Sequence, residues 1–355
     1  MSYIVLNPEY ESTDPVEIYD SLIWTERYWE AGDFEIYVPA SVDAHNMYLE
    51  DYYLWSSDSD RLMIIEDVQD DTDAEDGSFT TITGRSLESI LERRIIWNQT
   101  ILTGNFQNGI KQLLDQNAIS PSDASRKIPG LRFVASLDPK VTSLTIDAQY
   151  MGENLYDAIV KLCKEKKVGF KIIMPTDGDL IFTLYAGLDR TYDQLANPQV
   201  IFSPNFDNLA ESTFRQSMRP HKTVVVVGGE GEGTAKKRTT VARPEGAGTG
   251  MSRREMYSEA SGVSSNNGAI PDATYYQQLT QKGLEILAAN ARISTFDGKI
   301  ENLPSLRYSE HYYLGDIVQV ENEFGAQGKS RITEFIRSHS KTAIEAYPTL
   351  ESADN

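Results

Sequence analysis

The sequence has little of what marks a secreted, membrane-spanning or zinc-binding protein. Cys163 is the single cysteine among 355 residues, so the chain forms no internal disulfide and no cysteine-based zinc site. Its apolar runs, such as Val224–Val227, are far too short to cross a bilayer. We also predict no signal peptide at the N-terminus, because a basic n-region and a long apolar h-region are both missing. These features indicate assembly in a reducing cytosol, without stable membrane insertion.

Positive charge is scarce as well. The chain contains 33 Lys and Arg against 53 Asp and Glu, which gives a formal net charge of −20. Such a surface repels nucleic-acid phosphates and anionic lipids, so we expect no sequence-specific nucleic-acid binding. The hydrophobic content of 40% is sufficient for packed cores, and the length predicts more than one domain.

Recognisable catalytic motifs are missing too. The sequence has no metalloprotease, serine-hydrolase or P-loop signature. Cys163 lies on the apolar face of a predicted helix, and we interpret it as a buried structural thiol. No supporting motif surrounds the four histidines, His45, His221, His311 and His339. We therefore predict no catalytic, cofactor-binding or metal-binding residues.

Two stretches resemble ligand-binding motifs without completing them. Val224–Gly233 looks like a strand entering a dinucleotide-binding glycine turn, but Glu230 and Glu232 would repel phosphate and no periodic helix follows. We interpret it as a flexible hairpin or arm. Asp70–Gly77 looks like a calcium loop, but an EF-hand needs glycine at the sixth position and glutamate at the twelfth. A solvated hairpin turn is the better interpretation.

The pattern of short β-branched and aromatic runs predicts a mainly β, α+β fold. We expect two small antiparallel β-barrel-like domains with α/β insertions. Residues 1–97 form the first barrel, completed by about 191–220, and residues 98–190 form an inserted α+β domain. Residues 221–355 form the second barrel, which contains a flexible glycine-rich arm (228–250) and a helical insertion (about 253–292).

One corner organises the first of these domains. The stretch Thr80–Trp97 predicts a strand that Gly84 ends, followed by a helix with Ser86 as its N-cap. Its apolar residues recur at helical spacing, which places Leu91 under the barrel. Earlier in the chain, Glu30–Asp33 predicts a hairpin turn in which Gly32 adopts positive φ.

Several stretches resemble the tail-tip hub proteins of long-tailed bacteriophages, which include the amino-terminal hub part of tail-associated lysins. The resemblance rests on W-T-E-R-Y-W-E-A-G-D-F-E-I-Y-V-P (Trp24–Pro39), T-I-T-G-R-S-L-E-S-I-L-E-R-R-I-I-W (Thr81–Trp97), Y-Y-L-G-D-I-V-Q-V (Tyr312–Val320) and the ending Arg331–Leu350. Each motif is a common β-turn-β or strand-to-helix pattern, but their order and spacing cover nearly the whole chain.

The resemblance implies a non-enzymatic structural protein of the virion, located at the tail tip after assembly in the host cytoplasm. It implies a homotrimer that joins the hexameric distal tail protein to the tip and surrounds or closes the DNA channel. The tape measure protein is a further implied partner, as are tip fibre or receptor-binding proteins. No cofactor is implied.

Two other functions stay open. Longer relatives of the resembled family carry a cell-wall hydrolase after the hub, so a peptidoglycan- or polysaccharide-cleaving tail protein is one alternative. A host-receptor-binding module is the other, favoured if the nineteen tyrosines cluster on an exposed face.

Overall fold

The computed structural model describes residues 2–73, 77–209, 211–299, 306–324, 327–341 and 343–353. Strands account for 39% of the residues and helices for 22%. The predicted mainly β, α+β fold class is therefore confirmed.

The described part of the chain contains twenty-one strands and five α-helices, numbered here in chain order. The strands are β1 (Tyr3–Leu6), β2 (Ser12–Pro15), β3 (Ser21–Arg27), β4 (Asp33–Pro39), β5 (Tyr53–Ser56), β6 (Leu62–Asp73), β7 (Gly77–Ser86), β8 (Thr100–Asn105), β9 (Leu131–Val134), β10 (Thr145–Tyr150), β11 (Gly169–Ile173), β12 (Leu180–Tyr185), β13 (Ile201–Phe202), β14 (Glu211–Ser217), β15 (Val224–Gly228), β16 (Arg238–Ala242), β17 (Glu255–Glu259), β18 (Ile293–Lys299), β19 (Ile317–Glu321), β20 (Gln327–Ser340) and β21 (Ile344–Ser352). The helices are α1 (Val42–Met47), α2 (Phe106–Leu114), α3 (Pro139–Thr142), α4 (Leu155–Lys166) and α5 (Asp272–Ala289). Short 3₁₀ segments and one π-helical turn, Asp115–Ile119, complete the helical content.

The largest sheet is open. Its strand order is β14-β18-β21-β20-β3-β4-β7-β6-β5-β1-β2, with β19 and β13 branching from β20. Among the described residues, the strands are not closed into the two β-barrel-like domains that we expected. The reason lies in one pairing: β20 joins β3 in antiparallel register from Glu334–Arg27 to Ser340–Ser21, which fuses two predicted barrels into one sheet. Alternating burial specifies one packed face of a strand, but it does not specify its neighbours.

Three smaller sheets accompany the large one: β8 with β10, β9 with β11 and β12, and β16 with β15 and β17. Buried apolar residues divide into four clusters. One fills the space between α2, α4 and the sheet of β11 and β12, and a second lies beneath β1–β7. A third lies beneath β13, β19 and β20, and a fourth lies between α5 and the sheet of β15.

Several predicted elements are confirmed. The acidic turn joins β6 to β7 as a hairpin, paired out to Asp73 and Gly77. The turn residues Thr176–Asp179 also predict a hairpin between two apolar runs, and this hairpin joins β11 to β12. The amphipathic helix containing Cys163 is α4, which Asn154 caps by accepting the backbone N–H groups of Tyr156 and Asp157.

The corner at Thr80–Trp97 differs from its prediction in two ways. β7 continues through Gly84 to Ser86, and the following Leu87–Arg93 is a 3₁₀ helix. Gly84 does not end the strand; its missing side chain allows β6 to lie close to β7, because a Cβ on Gly84 would lie 1.8 Å from the Ile64 carbonyl oxygen. Ser86 does not cap the helix, since its Oγ accepts the backbone N–H of Gly32 at 2.7 Å.

Gly32 also serves a purpose other than the predicted positive φ. Its φ lies outside the left-handed region, but an added Cβ would meet the Thr25 carbonyl oxygen at 2.1 Å. The turn between β3 and β4 therefore requires glycine for backbone contact.

The glycine-rich stretch predicted to be an arm contains ordered pairing. β15 and β16 form an antiparallel hairpin from Val224–Ala242 to Gly228–Arg238, and β17 adds in parallel to β15. The helix predicted nearby is α5, which packs on this sheet. The flexibility of residues 228–250 stays a prediction.

Residues 191–220 supply β13 and β14, which pair with β19 and β18 rather than with any strand of β1–β7. The sequence also predicts a strand at Lys299–Leu303, but only Lys299 of this stretch lies within the described residues, where it ends β18. Among the described residues, no helix is both long and apolar enough to span a membrane.

Candidate assembly surfaces

The residues that could have supported enzyme chemistry lie apart. Cys163 is fully buried, and burial raises the pKa of its thiol, as expected of a structural cysteine. His45 is exposed beside Asp70, with 3.3 Å between Nδ1 and Oδ2. His311 Nδ1 accepts the backbone N–H of Arg307, and His339 is buried in β20 near the Tyr19 hydroxyl.

The glycine turn after β15 is filled by protein. A Cβ on Gly229 would meet the Tyr275 hydroxyl at 2.2 Å, so the aromatic ring occupies the place a phosphate would need. Glu230 accepts hydrogen bonds from the hydroxyls of Ser264 and Ser265 and from the Ser265 backbone N–H. The Ser265 and Ser264 hydrogen bonds lower the pKa of the Glu230 carboxyl. The carboxylate stabilises a neighbouring turn, and the stretch holds no dinucleotide-type site.

The acidic hairpin between β6 and β7 carries internal contacts at its base. Asp70 accepts the Thr80 hydroxyl at 2.6 Å, and Asp71 accepts the Gln69 amide. Among the described residues, no group of three or more His, Cys, Asp or Glu side chains is placed to hold a metal ion.

Tyr28 lies at the centre of a buried junction between three parts of the chain. Its ring contacts Trp29 and Tyr185, and the Arg331 guanidinium lies 5.7 Å from its centroid. The backbones of Gly169 and Gly315 pack directly against the ring, because a Cβ on either would come within 2.4 Å of it. Burial raises the pKa of Tyr28 to about 12. The first sheet, the inserted segment and the C-terminal strands therefore meet on one side chain.

Two buried ion pairs stabilise the same junction. Glu26 on β3 binds Arg337 on β20 at 2.6 Å and accepts the Tyr308 hydroxyl at 2.9 Å. Asp316 binds Arg190 at 2.6 Å and accepts the backbone N–H groups of Leu188 and Tyr313. Charges this deeply buried require these partners, since an unpaired charge in the interior costs several kcal/mol.

Several residues that carry the sequence resemblance are therefore internal, whereas others, such as Glu35 and Trp97, are exposed. Glu26 and Tyr28 belong to the first motif, Gly84 and Ser86 to the second, and Gly315 and Asp316 to the third. Each makes a close backbone approach or a buried polar contact. These internal residues stabilise the fold, and they do not identify the surfaces that contact other proteins.

One outer surface is negatively charged. On the exposed side of β4, β7 and β6, Glu35 pairs across Thr83 with Asp67, and both carboxylates are exposed. Asp33 and Glu66 line a shallow groove beside this row. We call this surface the acidic face, made of Asp33, Glu35, Glu66, Asp67 and Asp71. Arg85 is held within it by Glu66 and Glu92, each at 2.7 Å.

A second surface is a concave basic site. A cavity of about 450 Å³ opens between the C-terminal ends of α4 and α5, the end of β21 and the loop after β16. We call it the basic cleft. Its basic side chains are Lys164, Lys167, Arg243, Arg292 and Arg331, and its acidic ones are Glu165, Glu245 and Glu351.

The wall of the basic cleft is built by backbone contacts. Arg243 donates to the carbonyl oxygens of Lys222, Leu287 and Asn290, which caps the end of α5. His221 lies beside it, and burial followed by the positive charges of Arg243 and Arg254 lowers the pKa of its imidazole. Positive charge therefore accumulates at this end of an acidic protein.

A third surface is apolar. Tyr192, Leu195, Phe206 and Phe324 are exposed by 42%, 97%, 52% and 86%. The carboxylate of Glu321, at the end of β19, lies 3.4 Å from the Tyr192 hydroxyl and 3.5 Å from Ser203 Oγ. We call these four residues the apolar rim. Tyr192 lies beside the end of β19, and Phe324 follows that strand by three residues. Large exposed apolar side chains are candidate contact residues.

Comparison with known proteins gives one family and a set of related folds. The family model described as Siphovirus ReqiPepy6 Gp37-like protein matches residues 3–349. The structure is similar to the 43 kDa tail protein of prophage MuSo2 from Shewanella oneidensis, with a TM-score of 0.59, 13% identity and coverage of 100% of this chain and 99% of that one. It is also similar to prophage tail protein gp18 from Listeria monocytogenes, with a TM-score of 0.57, 13% identity and coverage of 99% and 94%. A tail protein from Neisseria meningitidis is similar as well, with a TM-score of 0.57, 13% identity and coverage of 99% of this chain and 97% of that one. No curated protein matches the chain significantly.

Proposed function

Because the chain belongs to the family of Siphovirus ReqiPepy6 Gp37-like proteins, we propose that it is a structural component of a phage tail tip. It forms a homotrimeric hub that joins the hexameric distal tail protein to the tip. The hub surrounds or closes the DNA channel, and the protein acts without catalysis. Its place is in the virion, after assembly in the host cytoplasm.

The observation that carries this proposal is the extent of the two matches. The family match runs over residues 3–349, and the fold of three tail proteins, two of them from prophages, is shared over nearly the full length of each chain. A shared fold does not by itself fix a function. The surfaces favour a role in assembly, because the conspicuous exposed features are charged and apolar patches.

The proposed partners are copies of this chain, the distal tail protein, the tape measure protein and tip fibre or receptor-binding proteins. The apolar rim is a candidate contact for one of them, because burying side chains such as Leu195 and Phe324 removes apolar area from water. The overall negative charge favours protein partners over DNA, which the channel must pass without retaining.

The test is the mass of the purified protein in solution, followed by negative-stain imaging. A hub gives a trimer and a threefold ring, either alone or with the distal tail protein. A chain that stays monomeric in both conditions contradicts the proposal. Zymography on purified cell wall, run in parallel, would reveal the hydrolase alternative, and binding to host cells would reveal the receptor-binding one.

We also propose the domain division predicted above: a first β domain, an inserted α+β domain at 98–190 and a C-terminal β domain with its arm at 228–250. The four separate apolar clusters support several folding units. Limited trypsin digestion tests the arm, with first cuts expected at Lys236, Lys237 and Arg238. Protection of these sites, with first cuts inside Thr145–Tyr185 instead, would contradict this plan.

A further inference from the structure

The negative charge of the chain is concentrated in one part of it. Residues 1–84 contain 21 Asp and Glu, two Arg and no Lys, a formal charge of −19 that nearly equals the −20 of the whole protein. Residues 215–254 have the opposite character, with nine Lys and Arg and three Glu. The molecule is therefore an electrostatic dipole, although its total charge suggests a uniformly acidic surface.

The fold keeps most of the acidic residues away from the basic stretch, although Trp29 lines the basic cleft and Glu30 binds Lys164 there. The acidic residues belong to β1–β7 at one side of the large sheet, and the basic stretch follows β14 at the other end of the strand order. Five strand steps separate β6 from β21, which lines the basic cleft. At about 4.8 Å per step this is roughly 24 Å, beyond a Debye length of roughly 10 Å at 0.1 M salt. Asp67 on β6 therefore cannot neutralise the basic cleft of its own chain.

Side chains at both surfaces are available for a partner. Glu35 and Asp67 on the acidic face, and Arg219 beside the basic cleft, are exposed and form no ion pair among the described residues. Lys222 is half-buried in the same loop, and its carbonyl oxygen accepts from Arg243 of the cleft wall at 2.7 Å. The concave basic cleft and the exposed acidic face are therefore opposite in charge.

We infer that the acidic face of one copy of this chain binds at the basic cleft of the next copy, head to tail. A two-fold contact through either surface alone would place like charges together, which is unfavourable. A head-to-tail contact joins unlike surfaces, and its repetition closes a ring when the rotation allows. This inference rests on the proposed hub, because it specifies the contact between subunits of that ring.

The test reverses charge on each surface separately. Glu35→Lys with Asp67→Lys changes the acidic face, and Arg219→Glu with Lys222→Glu changes the border of the cleft. We expect each double variant to weaken self-association at least about tenfold in low salt, because like charges then face each other. Combining all four substitutions in one chain restores unlike charges at every contact, so assembly returns toward that of the unaltered protein.

Sedimentation velocity at about 0.05 M and about 0.5 M salt measures the effect, because screening weakens exposed charge pairs. The matched control is Asp177→Lys with Lys127→Glu, two exposed residues of the inserted segment that belong to neither surface. Circular dichroism and thermal melting establish that every variant is folded.

The outcomes separate the inference from the proposed function. A trimer weakened by both double variants, and recovered by the fourfold variant, supports the inference. A trimer that neither double variant alters overturns the inference and leaves the hub in place. A closed dimer, in which both charge contacts form at once, overturns the ring. An unaltered protein that stays monomeric, with or without the distal tail protein, overturns the hub and the contact together.

Discussion

The buried junction around Tyr28 depends on the identity of each residue, whereas the charged outer surfaces depend on the sum of their charges. At the junction, residue identity is fixed by space and by polar pairing: Gly315 lies against the Tyr28 ring, and Glu26 must bind Arg337. On the acidic face, the sum of charges matters more than any individual carboxylate. A family resemblance therefore reports on the junction, whereas a contact between proteins depends on surfaces that motifs leave undefined.

The largest loss of stability is expected from a substitution in the buried junction. Arg337→Met leaves Glu26 buried without its cation, so the free energy of unfolding should fall by about 3–5 kcal/mol in denaturant titration. Arg337 and Glu26 are only 8% and 4% exposed. The control is Lys341→Met, which removes an exposed ion pair with Asp20 and should cost about 0–1 kcal/mol. Equal small losses would contradict the distinction between junction and surface.

Leu91→Ala tests the corner beneath the first sheet. Leu91 is fully buried in the 3₁₀ helix, and truncation leaves a cavity, so we expect a loss of about 2–5 kcal/mol in the free energy of unfolding. Trp97→Ala is the comparison, because Trp97 is 58% exposed and its contact is the Arg126 guanidinium at 4.6 Å. That change should cost no more than about 1 kcal/mol. A Leu91 loss below about 0.5 kcal/mol would place the corner outside the core.

Substituting two glycines of similar φ distinguishes steric crowding by a neighbouring side chain from backbone strain. Gly315 has φ +88° and Gly104 has φ +85°, but only Gly315 faces an obstacle, the Tyr28 ring at 2.2 Å. We expect Gly315→Ala to cost about 1–3 kcal/mol more than Gly104→Ala, because the added methyl overpacks the junction. Matched thermal melts measure the difference. Identical losses would mean that the ring moves aside freely.

The smallest effect on stability should come from the acidic face. Glu35→Lys with Asp67→Lys alters exposed side chains that form no ion pair within the described residues, so the free energy of unfolding should change by no more than about 0.5 kcal/mol per site. The same variant should strongly affect self-association. If the free energy of unfolding falls as strongly as self-association, the acidic face contributes to the folded core and does not differ from the junction.

Much of the architecture could be predicted from the residues. Apolar and β-branched runs on either side of an acidic turn predicted the hairpin of β6 and β7, and helical periodicity predicted α4 and α5. The pairing of β20 with β3 could not be predicted, because these strands lie about three hundred residues apart and their patterns do not encode a partner. Gly84 illustrates the same limit, since glycine permits both a strand break and a close approach.

The candidate surfaces were missed for a different reason. The total charge of −20 conceals how unevenly charge is distributed, although counting Asp, Glu, Lys and Arg by segment separates residues 1–84 from residues 215–254 without any structure. The basic cleft itself has no such signal, because Lys164, Arg243 and Arg331 come from three distant parts of the chain.

By itself, the sequence determined the mainly β class, the position of several hairpins and helices, the buried thiol and the uneven charge along the chain. These properties follow from local periodicity, side-chain polarity and composition. Tertiary structure decided that the strands form one open sheet, that Tyr28 joins three regions and that distant basic residues share a cleft. Each depends on which strands and loops become neighbours, and that choice is set by long-range packing rather than by any single stretch of residues.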